Sequence, residues 1–194
     1  MISLRTKDEV TLPASERLFA VADTPAGVSS LDESTIERLI YPAGFYRTKA
    51  QSIRRTAEII AQVHDGRVPD TVEALTDLPG VGRKTANLVL NLGFGLPAIC
   101  VDTHVHRIAN RFGWVTSRTP EQTEHALEAI LPREYWIEIN ELLVGYGQKI
   151  CTPLSPRCSE CPFSRVKEES GRRVAEPADP GPPPCLRVGV SRSR

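Results

Sequence analysis

A chain of 194 residues is long enough for one domain or two small ones and can bury a sizeable core. Its 24 basic and 24 acidic residues balance, so no overall positive field attracts nucleic acid, and a DNA contact would need a locally basic surface. Neither a signal peptide nor an apolar run of membrane-spanning length stands out, which predicts a cytoplasmic protein that has no membrane partner.

Helical periodicity runs through most of the chain, and no stretch shows the sustained alternation of a β-strand. The predicted helices span residues 8–22, a short turn after 24, 30–41, 48–64, a short helix before 78, a helix ending near 92, 103–112, 120–131 and 134–149. Asp8 is the expected N-cap of the first helix, Ser30 and Glu33 form an expected capping box, and Asp70 and Glu73 are expected to cap the short helix before residue 78. These patterns predict an all-α protein.

The segment LPGVGRKTA at residues 78–86 combines a glycine-rich turn with the start of a helix. Gly80 and Gly82 permit positive φ angles and let the backbone approach another molecule closely. The first amides of the helix, together with its dipole, predict a site for an anion such as phosphate. Lys84 lies in the first turn, where the dipole disfavours a cation and makes the neutral amine more accessible. A neutral amine can attack a carbon and form a Schiff base.

Asp102 follows the apolar run 96–101 and belongs to the segment VDTH. An aspartate in this position can cap a helix that begins at Thr103. It could also act as an acid/base partner for Lys84. From the residues alone, an exposed helix lysine and a purely structural cap are the alternative interpretation.

The segments LPGVGRKTA and VDTH, in this order and at this spacing, resemble those of the endonuclease III family of helix-hairpin-helix DNA glycosylases. The resemblance extends over about residues 1–162. It implies an all-α, two-lobed fold with the active site in the cleft between the lobes. Family members carry further helices before the position of Met1, so the start of the family's fold is expected to be missing here.

The resemblance also implies a division of the chain. Residues 1–100 are expected to form a helical lobe with the hairpin, and residues 101–162 a lobe with the cysteine cluster. Residues 163–184, which are charged and rich in proline and glycine, are expected to be a disordered insertion. Residues 185–194 form the expected C-terminal segment.

The resemblance implies that the protein is expected to remove oxidised pyrimidines from double-stranded DNA in base excision repair and to act as a monomer. Lys84 would attack the sugar C1′ atom, and Asp102 would stabilise the developing positive charge and move protons. The resulting Schiff base leads to β-elimination at the abasic site. Related glycosylases without lyase activity carry serine or tyrosine at the lysine position, so Lys84 favours a bifunctional enzyme.

The hairpin residues are the expected phosphate contacts. The backbone amides of Gly80, Gly82 and Lys84 would hold a DNA phosphate, and the side chains of Arg83 and Thr85 could contact it as well.

Two loop residues are candidates for filling the space that a flipped nucleotide leaves. Phe45 lies where the family inserts an apolar wedge, with a partly buried loop aromatic as the alternative. Arg5 lies where many relatives have a glutamine that faces the orphaned base, and an arginine could add a stacking contact. Lys49, in the basic segment 43–55, is a further candidate DNA contact.

The helix after Asp102 supplies weaker candidates. His104 is included among the DNA-binding candidates, although its main expected role is to support the turn at Asp102. His106, Arg107 and Arg111 are assigned to a solvated helix face.

Cys151, Cys158 and Cys161 have a C-x6-C-x2-C spacing that favours a metal before a disulfide in a reducing compartment. They resemble the first three ligands of the family's [4Fe–4S] cluster, which needs four thiolates. The family's usual fourth position carries Lys167, and Cys185 is the candidate replacement. An intact cluster that uses Cys185, a lost or labile cluster, and zinc or another substitute remain open.

Two other functions are compatible with the sequence. One is a glycosylase of different lesion specificity, acting on oxidised purines or mismatches. The other is a non-catalytic or decayed helix-hairpin-helix DNA-binding protein. The presence of both Lys84 and Asp102 argues against the second.

Overall fold

The computed structural model describes residues 1–165 of the chain, and this part is helical and contains no β-strand. The α-helices are α1 (Asp8–Val21), α2 (Pro25–Ser30), α3 (Glu33–Ile40), α4 (Tyr46–Val63), α5 (Val72–Thr76), α6 (Arg83–Phe94), α7 (Thr103–Arg111), α8 (Pro120–Ile130) and α9 (Glu138–Lys149). Short 3-10 helices span Arg133–Tyr135, Cys158–Glu160 and Pro162–Arg165. The predicted all-α class is confirmed. Within residues 1–165 no helix is long and apolar enough to cross a membrane.

The chain divides into two units, Met1–Phe94 and the residues from Gly95 onward. This division lies a few residues before the predicted boundary at 100/101. The segment from 166 on, which includes Cys185 and most of the predicted insertion, lies outside the described residues. At the start of that predicted insertion, the ring centroid of Phe163 lies 5.3 Å from that of Phe112.

The first unit is built around α4, against which α2 and α3 pack. Apolar residues at helical spacing on α1, α3 and α4 bury a common core, as amphipathic helices do. Its members include Ala14, Leu18, Val28, Ile36, Ile40, Ala50, Ile53 and Ala57.

A second face of α4 supports the loops and the hairpin. Four positions three or four residues apart lie along it, the spacing that places side chains on one side of a helix. Phe45 precedes the helix, Lys49 lies in its first turn, Ser52 lies next to Gly80, and Thr56 donates a 2.9 Å hydrogen bond to the carbonyl of Pro79. The hairpin is therefore attached directly to α4.

The second unit packs α7 against α8 and α9 around its own core. The fully buried residues of α7 are Val105, Ile108 and Ala109, and α8 and α9 contribute Leu127, Ile139 and Leu143. Two arginines on α7 face the loop after α9. Arg107 donates to the carbonyls of Gly147 and Cys151, and Arg111 donates to those of Thr152 and Pro153. The assignment of these arginines to a solvated face was wrong, because their side chains donate to carbonyls in the last turn of α9 and in the loop after it.

The assignment of His106 to a solvated helix face was also wrong. Its ring Nδ1 lies 2.6 Å from the hydroxyl of Thr123, so the ring faces α8 and not solvent.

Three predicted helix caps were placed on the wrong residues. Lys7 precedes α1, so Asp8 is its first helical residue. Asp32, not Ser30, caps α3 and accepts a 2.7 Å hydrogen bond from the amide of Thr35. Hydrogen bonds from the Ser34 hydroxyl and from Thr35 lower the pKa of Asp32 to about 2. Thr71 caps α5 in place of the predicted Asp70.

We expect Thr56→Val to weaken the attachment of the hairpin to α4. Valine keeps the shape of threonine but removes the donor, so the carbonyl of Pro79 loses its partner and the free energy of unfolding falls by about 1–2 kcal/mol. Urea unfolding measures this loss. Thr48→Val is the matched control, since Thr48 is exposed and makes no side-chain hydrogen bond among residues 1–165, and its change should stay within about 0.5 kcal/mol. Equal effects of the two substitutions would contradict this role for Thr56.

Candidate active site and nucleic-acid interface

The turn between α5 and α6 depends on Gly80. Its φ of +75° is in the left-handed region that favours glycine. A Cβ atom there would lie 3.0 Å from the Cβ of Ser52 and 3.1 Å from the Cε of Met1. The turn closes with a 3.1 Å hydrogen bond from the amide of Val81 to the carbonyl of Leu78. Both backbone angle and packing therefore require glycine at position 80.

Lys84 is the second residue of α6 and is exposed. The opposite side of the helix is buried through Ala86, Asn87 and Leu90, and this orients the helix. The amide of Ala86 donates a 3.0 Å hydrogen bond to the carbonyl of Gly82, so helical pairing begins just after the lysine. The predicted position of Lys84 in the first turn is confirmed.

The other hairpin candidates lie around this lysine. Gly80 and Gly82 are exposed, and Arg83 and Thr85 are half-buried. The structure thus groups these four candidates in one exposed turn and the first residues of one helix.

Asp102 is the N-cap of α7, as predicted. Its Oδ1 atom accepts hydrogen bonds from the amides of His104 at 2.8 Å and Val105 at 2.9 Å. Its Oδ2 atom accepts no hydrogen bond from residues 1–165. One carboxylate oxygen therefore fixes the side chain at the start of α7.

His104 supports this turn as the sequence suggested. Its backbone amide donates to Asp102, and its ring Nδ1 lies 3.1 Å from Nη2 of Arg107. Burial is the main reason why the pKa of Arg107 is lowered. Lys84 belongs to the first unit of the fold and Asp102 to the second.

The structure brings Arg5 and Phe45 together, although 39 positions separate them. The guanidinium carbon of Arg5 lies 5.7 Å from the centroid of the Phe45 ring, within cation–π range. Both residues have positive φ angles, 52° and 57°, which are uncommon for residues with side chains. Phe45 is 63% exposed, so its ring is accessible at the surface of the first unit.

The expectation that Lys49 lies on a DNA-facing surface does not match the structure. The side chain is only 8% exposed, and its ammonium donates to Ile2 O at 2.7 Å, Leu4 O at 2.6 Å and Thr6 Oγ1 at 2.8 Å. Burial lowers the pKa of Lys49. Thr6, which the sequence analysis missed, links this ammonium to the Phe45 loop, and no sequence pattern near Thr6 signals that role.

The three clustered cysteines line one cavity together with Phe112 and Tyr146. The Cys161 thiol is hydrogen-bonded to the Tyr146 hydroxyl at 2.7 Å, and Nη1 of Arg111 lies 3.3 Å from Sγ of Cys151. Burial and the Cys161 contact raise the pKa of Tyr146. No three His, Cys, Asp or Glu side chains within residues 1–165 are grouped closely enough to hold a metal ion on their own. Three soft sulfur donors facing one cavity nevertheless fit an iron–sulfur cluster that takes a further ligand.

Comparisons with known proteins identify the family to which this chain belongs. The sequence profile described as the HhH-GPD superfamily of base excision DNA repair proteins matches residues 1–133. Endonuclease III of Thermotoga maritima is 50% identical over 161 residues, which cover 83% of this chain and 76% of that protein. Endonuclease III-like protein 1 of Bos taurus is 49% identical over 164 residues, which cover 83% of this chain and 54% of that protein.

A solved structure of a trapped Endonuclease III–DNA covalent intermediate, in an estranged-adenine complex, matches with a TM-score of 0.78 and 34% identity over 83% of this chain and 76% of that one. The present chain thus spans about three quarters of the bacterial relative and about half of the animal relative. It belongs to the HhH-GPD superfamily of base excision DNA repair proteins. Within that superfamily it is a member of the endonuclease III family of DNA glycosylases and AP lyases.

Because only one carboxylate oxygen of Asp102 caps α7, we predict that substitutions at this position can affect protein stability and excision activity separately. Asn and Asp are comparable N-caps, so Asp102→Asn should change the free energy of unfolding by less than about 0.5 kcal/mol, whereas Asp102→Ala should cost about 1 kcal/mol. Both variants should lose base excision activity on a damaged duplex. Urea unfolding and a strand-cleavage assay measure the two effects. An alanine variant as stable as the asparagine variant would show that the cap contributes nothing.

Proposed function

We propose that this protein is a bifunctional DNA glycosylase that removes oxidised pyrimidines and cleaves the abasic site through a Schiff base on Lys84. The observation that carries the proposal is the exposed Lys84 at the start of a hairpin helix whose other side is buried. The match to a structure of a trapped covalent Endonuclease III–DNA intermediate supports it, since that protein forms a covalent bond with DNA.

In the first step, the amine of Lys84 attacks C1′ of the damaged nucleotide. A carbon–nitrogen bond forms as the glycosidic bond breaks, and the base leaves with the bonding electron pair and takes up a proton. The free Oδ2 atom of Asp102 stabilises the positive charge that develops on the sugar and moves protons.

In the second step, the lysine nitrogen loses a proton, and its lone pair forms a double bond to C1′. The bond between C1′ and O4′ breaks, O4′ takes up a proton, and the opened ring leaves an iminium between Lys84 and C1′. The iminium makes the C2′ hydrogens acidic. Loss of one of them lets the electrons expel the 3′ phosphate, so the strand breaks on the 3′ side by β-elimination. Hydrolysis of the iminium then returns the free lysine.

DNA binding is assigned to two regions of the first unit. The hairpin residues Gly80, Gly82, Arg83 and Thr85 hold a phosphate, because exposed amides at a helix start favour an anion. Arg5 and Phe45 fill the space that the extruded nucleotide leaves, because their stacked side chains form an exposed apolar and cationic pair.

The second unit is proposed to hold a [4Fe–4S] cluster through Cys151, Cys158, Cys161 and Cys185. When bound, the cluster supplies four metal–sulfur bonds that hold the loop after α9 in place. Arg107 and Arg111 fix that loop from the side of α7 through the carbonyls of residues 147 and 151–153. The protein is expected to act as a monomer on double-stranded DNA, in the cytoplasm and at the nucleoid in a prokaryote.

Borohydride trapping on an abasic-site duplex tests the nucleophile. Reduction converts the Schiff base into a stable protein–DNA adduct, so the wild-type protein should give a cross-linked band. Lys84→Gln retains a long polar side chain but removes the amine, and we expect roughly hundredfold less adduct. Lys7→Gln is the matched control, because Lys7 is exposed and lies outside the proposed site.

Other outcomes would change the assignment. Binding without any wild-type adduct would make the protein a DNA-binding module. Excision of oxidised guanine in preference to oxidised thymine from matched duplexes would keep the mechanism but replace the substrate.

Cys185→Ser tests the fourth cluster ligand. Loss of one thiolate should remove the absorbance expected at about 400 nm for such a cluster and most of the bound iron. Cys100→Ala is the control, since Cys100 is fully buried and lies outside the cysteine cavity, and this variant should retain both signals. Full iron content in Cys185→Ser protein would exclude Cys185 as a ligand.

A further inference from the structure

The Lys49 ammonium lies inside a group of oxygen atoms from the start of the chain. It donates to the carbonyls of Ile2 and Leu4 and to the hydroxyl of Thr6, all within 2.8 Å. A lysine ammonium has three N–H donors, and each of them has an acceptor here. The side chain is therefore fully used within the protein and has no donor left for a phosphate.

A positive charge in this position is costly. Burial lowers the pKa of Lys49, and the first turn of α4 is a place where the helix dipole disfavours a cation. Its three acceptors are neutral oxygens and not carboxylates. An apolar side chain would avoid these costs but would leave the carbonyls of Ile2 and Leu4 without this donor, so the lysine serves to fix these oxygen atoms.

The oxygen atoms that accept hydrogen bonds from Lys49 determine where the backbone of Arg5 lies. Arg5 lies between Leu4 and Thr6, both of which are held by the same ammonium. Backbone hydrogen bonds from Leu4 N to Met1 O and from Thr6 N to Ser3 O close two consecutive turns in this segment. Arg5 lies within the second of these turns, has a φ of 52°, and has an exposed side chain.

The Thr6 hydroxyl connects this segment to the second loop. It accepts from Lys49 Nζ at 2.8 Å and from the amide of Gly44 at 3.0 Å, and it donates to Leu4 O at 3.3 Å. One donor and two acceptors exhaust what a hydroxyl can offer. Gly44 is needed for this approach, because a Cβ atom there would lie 2.6 Å from the carbonyl of Arg5. Phe45 is the next residue.

We propose that Lys49 is a positioning residue that holds Arg5 and Phe45 together as one rigid wedge for insertion into damaged DNA. It acts through the Ile2, Leu4 and Thr6 oxygens and does not contact DNA. This inference rests on the proposed function, since it assumes that Arg5 and Phe45 enter the DNA. Without the ammonium the two loops remain, but their side chains no longer have a fixed common geometry.

Binding to an unreactive abasic-site duplex separates positioning from phosphate contact. The probe is a duplex with a tetrahydrofuran abasic analogue and 2-aminopurine opposite it, whose fluorescence rises when the base is unstacked. The variants are Lys49→Met, which keeps the length and removes the donors, and Thr6→Val, which removes only the connecting hydroxyl. Lys7→Met is the control, because it makes the same substitution at an exposed lysine close in sequence.

We expect Lys49→Met and Thr6→Val to bind the duplex roughly tenfold more weakly, since displaced Arg5 and Phe45 side chains lose their contacts with the DNA. The 2-aminopurine fluorescence should be lower in the complexes of these two variants than in the wild-type complex, while Lys7→Met should keep the wild-type fluorescence. The slope of log Kd against log salt should stay unchanged for Lys49→Met, because a lost phosphate contact would reduce that slope by about 0.9. In protein that already carries Phe45→Ala, the further substitution Lys49→Met should weaken duplex binding by less than about twofold.

Several outcomes would overturn the proposal. A salt slope that falls by about one unit with normal 2-aminopurine fluorescence would make Lys49 a phosphate contact. If Lys49→Met protein does not fold, Thr6→Val decides, and wild-type fluorescence in that variant would end the inference. Failure of the wild-type protein to bind the duplex would overturn the proposed function itself and the inference with it.

Discussion

One face of α4 determines where the functional parts of the first unit lie. Phe45, Lys49, Ser52 and Thr56 follow one another at helical spacing, so a single rigid helix controls the wedge loops at its start and the hairpin further along. The hydrogen bond from Thr56 to Pro79 is the key interaction, because Pro79 begins the turn that orients α6. If α4 turned or bent, the hairpin lysine and the wedge would both move.

In the second unit, α7 positions the candidate functional residues, as α4 does in the first. Asp102 begins the helix, and Arg107 and Arg111 hold the loop that contains Cys151. The acid/base candidate and the cysteine loop are thus joined through a single short helix. Loss of the loop would therefore loosen the arginines and, with them, the helix that Asp102 caps.

The sequence predicted the features that depend on local signals. The left-handed turn at Gly80, the first-turn position of Lys84 and the cap at Asp102 are each set by residues within a few positions of one another, and all three are confirmed. Gly82 does not share this conformation, because its φ is not positive and a Cβ atom there would meet no atom within 4 Å. Lys49 was placed wrongly because its acceptors lie more than 40 residues away in the chain, where no periodicity connects them to α4. The Arg107 prediction failed for the same reason, since a charged helix residue suggests solvent unless the carbonyls it meets are known.

The most direct measurement of the central chemistry is mass-spectrometric mapping of the borohydride-reduced protein–DNA adduct. After digestion of protein and DNA, the sugar remnant should be found on the Nζ atom of Lys84, since that amine is exposed at the hairpin start. Lys49 should be unmodified, because its ammonium is buried and donates to three oxygens. An unmodified Lys84 with the remnant on any other amine would contradict the assignment of the nucleophile and the role given to the hairpin.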